Sequence, residues 1–221
     1  MKAIIFDMDG VLVDSVPVNW KLFNKALSRW NVSFSDDHFR QTLGRSLQGA
    51  FEYWREHFGL PESLTYPDFQ AALYELQEDV YHEYFRPETD VLSFIDSLKA
   101  DGFRIAVGTS SHGERAREIL SLIGVLDKVD ALITSDDVTA HKPEPDVFLA
   151  CAEQLGVEPA ECIVFEDAHN GIEAAKNALM HVIGKRSSVN DDVVLKDADS
   201  VISHFSELSI EKLNAILDTK K

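Results

Sequence analysis

Phe6-Asp7-Met8-Asp9-Gly10-Val11-Leu12-Val13-Asp14-Ser15 follows directly on the apolar run Ala3-Ile4-Ile5-Phe6. Such a run is too short for a helix but right for a strand buried on both faces. Four more short runs rich in Ile and Val repeat it further along: Arg104 to Gly108, Ala131 to Thr134, Cys162 to Phe165 and His181 to Gly184. Helical periods separate the later ones. Val91, Leu92, Ile95 and Leu98 recur before Asp101-Gly102. Ala116, Ile119, Leu120 and Ile123 do so before Gly124, and Phe148, Leu149, Ala152 and Leu155 before Gly156. Strand alternating with helix predicts an α/β fold, a Rossmann-like doubly wound parallel sheet with helices on both faces.

Residues 16–87 read differently. They carry helical periods and no convincing strand. Trp20, Phe23, Leu27 and Trp30 form one stripe, Leu47, Ala50, Phe51, Trp54 and Phe58 a second, and Phe69, Leu73, Leu76 and Val80 a third. Stripes of this kind are core. All three tryptophans lie here. The expectation is a helical cap subdomain over 16–87, inserted into an α/β core made of 1–15 and 88–221.

With 21 basic and 38 acidic residues the chain carries a formal charge of −17. That surface repels nucleic acid and anionic lipid, and no basic stripe interrupts it. An anionic ligand therefore needs local positive charge or a metal. No apolar run approaches the roughly 18 residues of a membrane span, and the N-terminal stretch is too short for a secretory signal. Cys151 and Cys162 have neither metal-ligand spacing nor a disulfide framework. These features lead to the expectation of a cytoplasmic protein with two reduced thiols, monomeric or weakly homo-oligomeric, with no nucleic-acid or membrane partner.

Carboxylates and small polar residues gather where strands end. Asp7 and Asp9 follow the first run, Thr109, Ser110 and Ser111 the second, and Glu166 and Asp167 the run Ile163-Val164-Phe165. In an open α/β sheet these ends share the edge where ligands bind. Lys142, in Lys142-Pro143-Glu144-Pro145-Asp146, can bring a cation to that edge. Other motifs fail on their spacing. Asp7 to Gly10 lacks an EF-hand's twelve-residue register, and a strand precedes it. His82-Glu83-Tyr84-Phe85-Arg86 ends in Arg where a zinc protease needs His. Gly184-Lys185 lacks the first Gly of a P-loop, and His112 stands where a nucleophile elbow has its second Gly. Asp14-Ser15, Pro143 and Pro145 read as helix starts, and His169 and Asn170 as helix-start or cap-facing residues.

Four motifs together resemble the haloacid dehalogenase superfamily of phosphohydrolases, in its β-phosphoglucomutase and sugar-phosphate phosphatase branch. They are Phe6 to Ser15, Gly108-Thr109-Ser110-Ser111, Lys142 to Asp146, and Phe165-Glu166-Asp167-Ala168-His169-Asn170-Gly171-Ile172. The resemblance covers nearly the whole chain. It implies that Asp7 is the nucleophile and Asp9 the general acid and base. It also implies Mg2+ held by Asp7, the Asp9 carbonyl and Asp167, with Glu166 in or beside the metal shell, and a phosphoryl group held by Thr109, Ser110 and Lys142. The chemistry agrees: a phosphate ester repels a bare carboxylate, and a hard divalent cation neutralises both.

Asp9 favours phosphoryl transfer over dehalogenation, since halide departs without a proton. No lysine occurs between Lys25 and Lys99, so a cap Schiff base is not expected. The function expected is a Mg-dependent phosphatase of small phosphorylated metabolites, in particular sugar phosphates, acting through an aspartyl phosphate. A mutase is the alternative, and a catalytically silent phosphate binder is another. Mutases resembling this chain carry His where Asn19 stands and Lys where Gln77 stands. Arg45, in Gly44-Arg45-Ser46, is expected in a substrate-specificity loop, with Asn19 and Trp20 as further pocket candidates.

Overall fold

The computed structural model describes residues 1–42, 47–190 and 192–219. Contacts divide the chain into two compact units, one of Met1–Asp14 with Arg86–Lys221 and one of Ser15–Phe85. Among the described residues no helix is long and apolar enough to cross a membrane.

In chain order the elements are β1 (Ala3–Phe6), α1 (Ser15–Leu27), α2 (Asp36–Arg40), α3 (Leu47–Phe58), α4 (Tyr66–Tyr84), α5 (Val91–Ala100), β2 (Arg104–Gly108) and α6 (Gly113–Leu122). There follow β3 (Ala131–Ile133), α7 (Asp146–Leu155), β4 (Cys162–Glu166), α8 (His169–Asn177), β5 (His181–Lys185), β6 (Ser200–Ile202) and α9 (Ile210–Leu217). The strands form one parallel sheet in the order β3-β2-β1-β4-β5-β6. This is the α/β, Rossmann-like architecture that the alternation predicts.

Successive strand residues face opposite sides of a sheet, and β1 uses both. Ala3 and Ile5 join a core with Phe148, Cys151, Ile172 and Ala175 from α7 and α8. Phe6 turns the other way. It stacks on Phe165 at 5.1 Å and meets Phe94 of α5 edge-on at 6.4 Å, with Phe205 at 6.0 Å closing the group. A strand buried on both faces favours apolar residues on each, and Ala3 to Phe6 contains no polar residue.

Two features of the sheet position the site. Phe6 is level with Val107 of β2 and Phe165 of β4, so the residues after all three leave the sheet at one height. The chain also runs from β1 outward to β3, then returns to the other side of β1 for β4. Direction reverses at β1 and β4, and a crevice opens at their C-terminal ends.

The unit Ser15–Phe85 is helical, with an aromatic interior. Trp54 is fully buried and lies edge-on to Phe39 at 5.5 Å and to Phe69 at 6.0 Å. Its longest helix, α4, begins at a capping box in which Thr65 and Asp68 exchange side-chain and backbone hydrogen bonds.

Candidate active site

The crevice is a pocket of about 350 Å3 lined by Asp7, Asp9, Thr109, Ser110, Ser111, Lys142, Glu166, Asp167, Ala168, Asn170 and Gly171. Seven side chains expected at the site from sequence thus meet there: Asp7, Asp9, Thr109, Ser110, Lys142, Glu166 and Asp167. Asn19 lies on α1 in the other unit, half-buried. Arg45 lies outside the described residues.

The turn after β1 presents both aspartates. Asp7 N donates to Phe165 O at 2.9 Å, which extends the β1–β4 pairing by one residue. Met8 is fully buried, so its neighbours Asp7 and Asp9 emerge on the opposite side. The chain then folds back, with Leu12 N and Val13 N donating to Met8 O and Gly10 N donating to Val13 O at 2.7 Å. Gly10 has φ +86°, a left-handed conformation that favours glycine. It is also constrained from outside, because a Cβ there would stand 2.0 Å from Asp167 Oδ2. Glycine lets the Asp167 carboxylate lie against the turn.

Lys142 is the cation at the centre. Its Nζ donates to Asp7 Oδ1 at 2.6 Å, to Glu166 Oε1 at 2.8 Å and to Gly108 O at 3.2 Å. Burial alone would drive its proton off, but the Asp7 and Glu166 carboxylates outweigh that and hold its pKa above the ordinary value. Glu166 is almost fully buried. Its other oxygen, Oε2, accepts from Asp167 N at 2.7 Å and Ala168 N at 2.8 Å. Gly171 makes this possible: a Cβ there would stand 1.7 Å from Glu166 Oε1. Glu166 thus ties Lys142 to the loop that leads into α8.

The remaining acids are crowded. Burial raises the Asp7 carboxyl to about 7, against the pull of Lys142 and with help from Glu166 and Asp9. Burial, then repulsion from Glu166 and Asp7, raises Asp167 to about 8. Asn190 Nδ2 holds the Asp167 carbonyl at 2.9 Å. Thr109 is buried, and its Oγ1 accepts from Ser111 N at 3.1 Å.

Carboxylates that burial and one another press to stay protonated will ionise readily if a cation joins them. The hard oxygens of Asp7, the Asp9 carbonyl and Asp167 fit Mg2+, which takes one or two carboxylates and fills its shell with water and phosphate oxygens. Among the described residues no group of three or more His, Cys, Asp or Glu side chains is placed to hold a metal alone. A site of two carboxylates, one carbonyl and water needs no such group.

Two residues to which sequence reasoning assigns no role meet Asp9. Ser111 Oγ donates to Asp9 Oδ2 at 2.9 Å, and Arg115 of α6 grips both carboxylate oxygens. A faint signal for Arg115 exists in the sequence. A cation in the first turn of a helix opposes the helix dipole, so its presence there calls for an acidic partner.

The sequence profile of the haloacid dehalogenase-like hydrolases matches residues 4–185. The chain belongs to that family. This haloacid dehalogenase-like hydrolase is 29% identical over 218 residues to the phosphorylated carbohydrates phosphatase of Thermotoga maritima, covering 98% of this chain and 100% of that one. It is also 29% identical over 218 residues to the β-phosphoglucomutase of Bacillus subtilis, covering 97% and 94%. A solved structure of a candidate β-phosphoglucomutase from Thermotoga maritima superposes with a TM-score of 0.82 at 27% identity, over 99% of this chain and 97% of that one. The chain is therefore an enzyme of the phosphoric monoester hydrolase class, within the phosphatase and mutase-like branch of the family.

Proposed function

We propose that the protein is a Mg-dependent phosphatase of small phosphorylated metabolites, in particular sugar phosphates. The observation that carries the reading is the convergence in one pocket of Asp7, Asp9 and Asp167 with Lys142, whose Nζ is 2.6 Å from Asp7 Oδ1. Lys142 both anchors the nucleophile and offers positive charge to the phosphoryl oxygens, which gain stabilisation as charge develops on them. Glu166, with its oxygens on Lys142 and two backbone amides, keeps that ammonium in place.

Asp7 attacks phosphorus and forms an aspartyl phosphate as the bond to the leaving oxygen breaks. The Asp9 carboxyl gives its proton to that oxygen, then, as carboxylate, takes a proton from the water that attacks the aspartyl phosphate. Thr109 and Ser110, at the end of β2, donate to phosphoryl oxygens. Asp7, Asp167 and the Asp9 carbonyl would hold Mg2+. When bound, Mg2+ supplies positive charge that offsets the repulsion among these carboxylates and the phosphate.

The chain Ser15–Phe85 serves in this reading as the cap that selects the substrate, with Arg45 and Asn19 as its candidate contacts. The relationship to the Bacillus subtilis β-phosphoglucomutase favours a second reading, sugar-phosphate mutase. A mutase must retain an anionic bisphosphate, and Asn19 and Gln77 are neutral where related mutases carry His and Lys. Water then intercepts the aspartyl phosphate first.

The test is phosphate release from a panel of phosphorylated sugars and small alcohols, with Mg2+ and with excess EDTA. Release that needs Mg2+ supports the phosphatase, and full activity in EDTA sinks the mechanism. Incubation with β-glucose 1-phosphate and trace bisphosphate separates the readings. Glucose 6-phosphate formed efficiently with negligible free phosphate would establish the mutase.

A further inference from the structure

Asp9 is held from behind. Arg115 Nη1 donates to Asp9 Oδ2 and Nη2 to Oδ1, both at 2.9 Å, while Ser111 Oγ donates to Oδ2 at 2.9 Å. Arg115 Nη1 also reaches Ser111 Oγ. Asp9 and Ser111 line the pocket, and Arg115 is not among its lining residues. The guanidinium therefore meets the carboxylate from outside that pocket. A planar fork on both oxygens sets the direction of the carboxylate as well as its place, which a single contact cannot do.

We propose that Arg115 is a positioning residue, aiming the Asp9 carboxyl group at the oxygen that leaves phosphorus and at the water that replaces it. This rests on the phosphatase reading of the same site. In the first half-reaction the bond from phosphorus to the leaving oxygen breaks with its electron pair on that oxygen. That oxygen takes the Asp9 proton, and an Asp7 oxygen bonds to phosphorus. In the second, a water oxygen bonds to phosphorus and gives a proton to Asp9, and the electron pair of the Asp7–phosphorus bond returns to Asp7. Both proton transfers need the Asp9 carboxyl to face the same side, and the fork with Ser111 defines that side. A loss of aim is felt most where the leaving group most needs a proton.

Arg115→Met removes the fork and keeps the apolar stem. Arg115→Lys keeps the charge and loses the two-pronged grip. With Mg2+, the Met variant should lose roughly tenfold or more kcat/KM on an alkyl phosphate beyond its loss on p-nitrophenyl phosphate, as expected for an impaired general acid. It should also release a burst of p-nitrophenol, because the second half-reaction still needs Asp9. The Lys variant should fall between wild type and Met. An equal loss on both substrates, with no burst, overturns the proposal, since a purely structural defect lowers both alike. A crystal structure supplies the second arm. In the Met variant the Asp9 carboxylate should leave its place beside Ser111, and an unmoved carboxylate overturns the proposal. That arm needs no turnover, so a wild type that releases phosphate from nothing sinks the phosphatase reading and leaves the crystal to decide on Arg115. If the Met variant does not fold, the Lys variant carries both arms.

Discussion

Gly171→Ala should destabilise the protein, although the same change in most helices stabilises it. Gly171 lies in the first turns of α8, and Ala exceeds Gly in helix propensity by about 1 kcal/mol. Here the added Cβ would stand 1.7 Å from Glu166 Oε1 and 1.9 Å from Glu166 Cδ. The carboxylate must move, and with it go one contact to Lys142 Nζ and two to backbone amides. Glu166 and Lys142 are 2% and 7% exposed at their side chains, so the pair is effectively buried. Breaking a buried pair costs about 3–5 kcal/mol, which leaves a net loss of roughly 2–4 kcal/mol after the helix gain. In a unit of this size that lowers Tm by roughly 5–15 °C. All three tryptophans, Trp20, Trp30 and Trp54, lie in Ser15–Phe85, so intrinsic fluorescence would report on the other unit. Calorimetry or far-UV circular dichroism is the proper probe. Phosphate release should fall as well, because Lys142 loses its anchor. A variant as stable as wild type, or more stable, would refute the packing argument.

Asp7→Asn should lower turnover by at least roughly a thousandfold, and mass spectrometry of the quenched wild-type reaction should find phosphate on Asp7; normal turnover of a pure variant refutes the nucleophile. Asp7 and Asp167 titrate near 7 and 8 against an ordinary 3.8, so between those values the folded protein holds more protons than the unfolded one. Their contribution to the stability of the metal-free protein should therefore fall as pH rises through that window. Mg2+ competes with those protons, so the Tm increase on adding Mg2+ should be larger at pH 8 than at pH 5.5, and an equal increase at both would count against the site. Gly10→Ala combines a strained φ of +86° with a Cβ 2.0 Å from Asp167 Oδ2, and it should abolish the Mg2+-dependent Tm increase, so an increase as large as that of wild type refutes the argument.

Much of the sheet was legible because parallel strands buried on both faces are apolar over most of their length. Ala3 to Phe6, Ile105 to Gly108 and Cys162 to Phe165 stand out from their surroundings for that reason. The sixth strand had no such mark. Ser200 and Val201 are exposed, and the three residues pair on one side only, with β5. Their strand conformation comes from contacts with β5 and its flanks, such as Asp199 N to Val182 O at 2.9 Å and Arg186 N to Ile202 O at 2.8 Å.

The acids at the strand ends were equally legible, since the residue following a buried strand emerges at the ligand-binding edge. Their division of labour was not. Glu166 and Asp167 are adjacent acids in the chain, yet one turns inward to Lys142 and two amides while the other lies against Gly10. The partner of Arg115 was hidden too, because Asp9 is 106 residues away. Strand and helix alternation, turn positions and the residue types able to do the chemistry follow from local pattern, because backbone geometry and burial act over a few neighbouring residues. Which carboxylate oxygen meets which cation depends on segments brought together by sheet pairing and close packing. At Gly10 and Gly171 the space for a carboxylate exists only because a distant or neighbouring loop has already closed on a missing side chain.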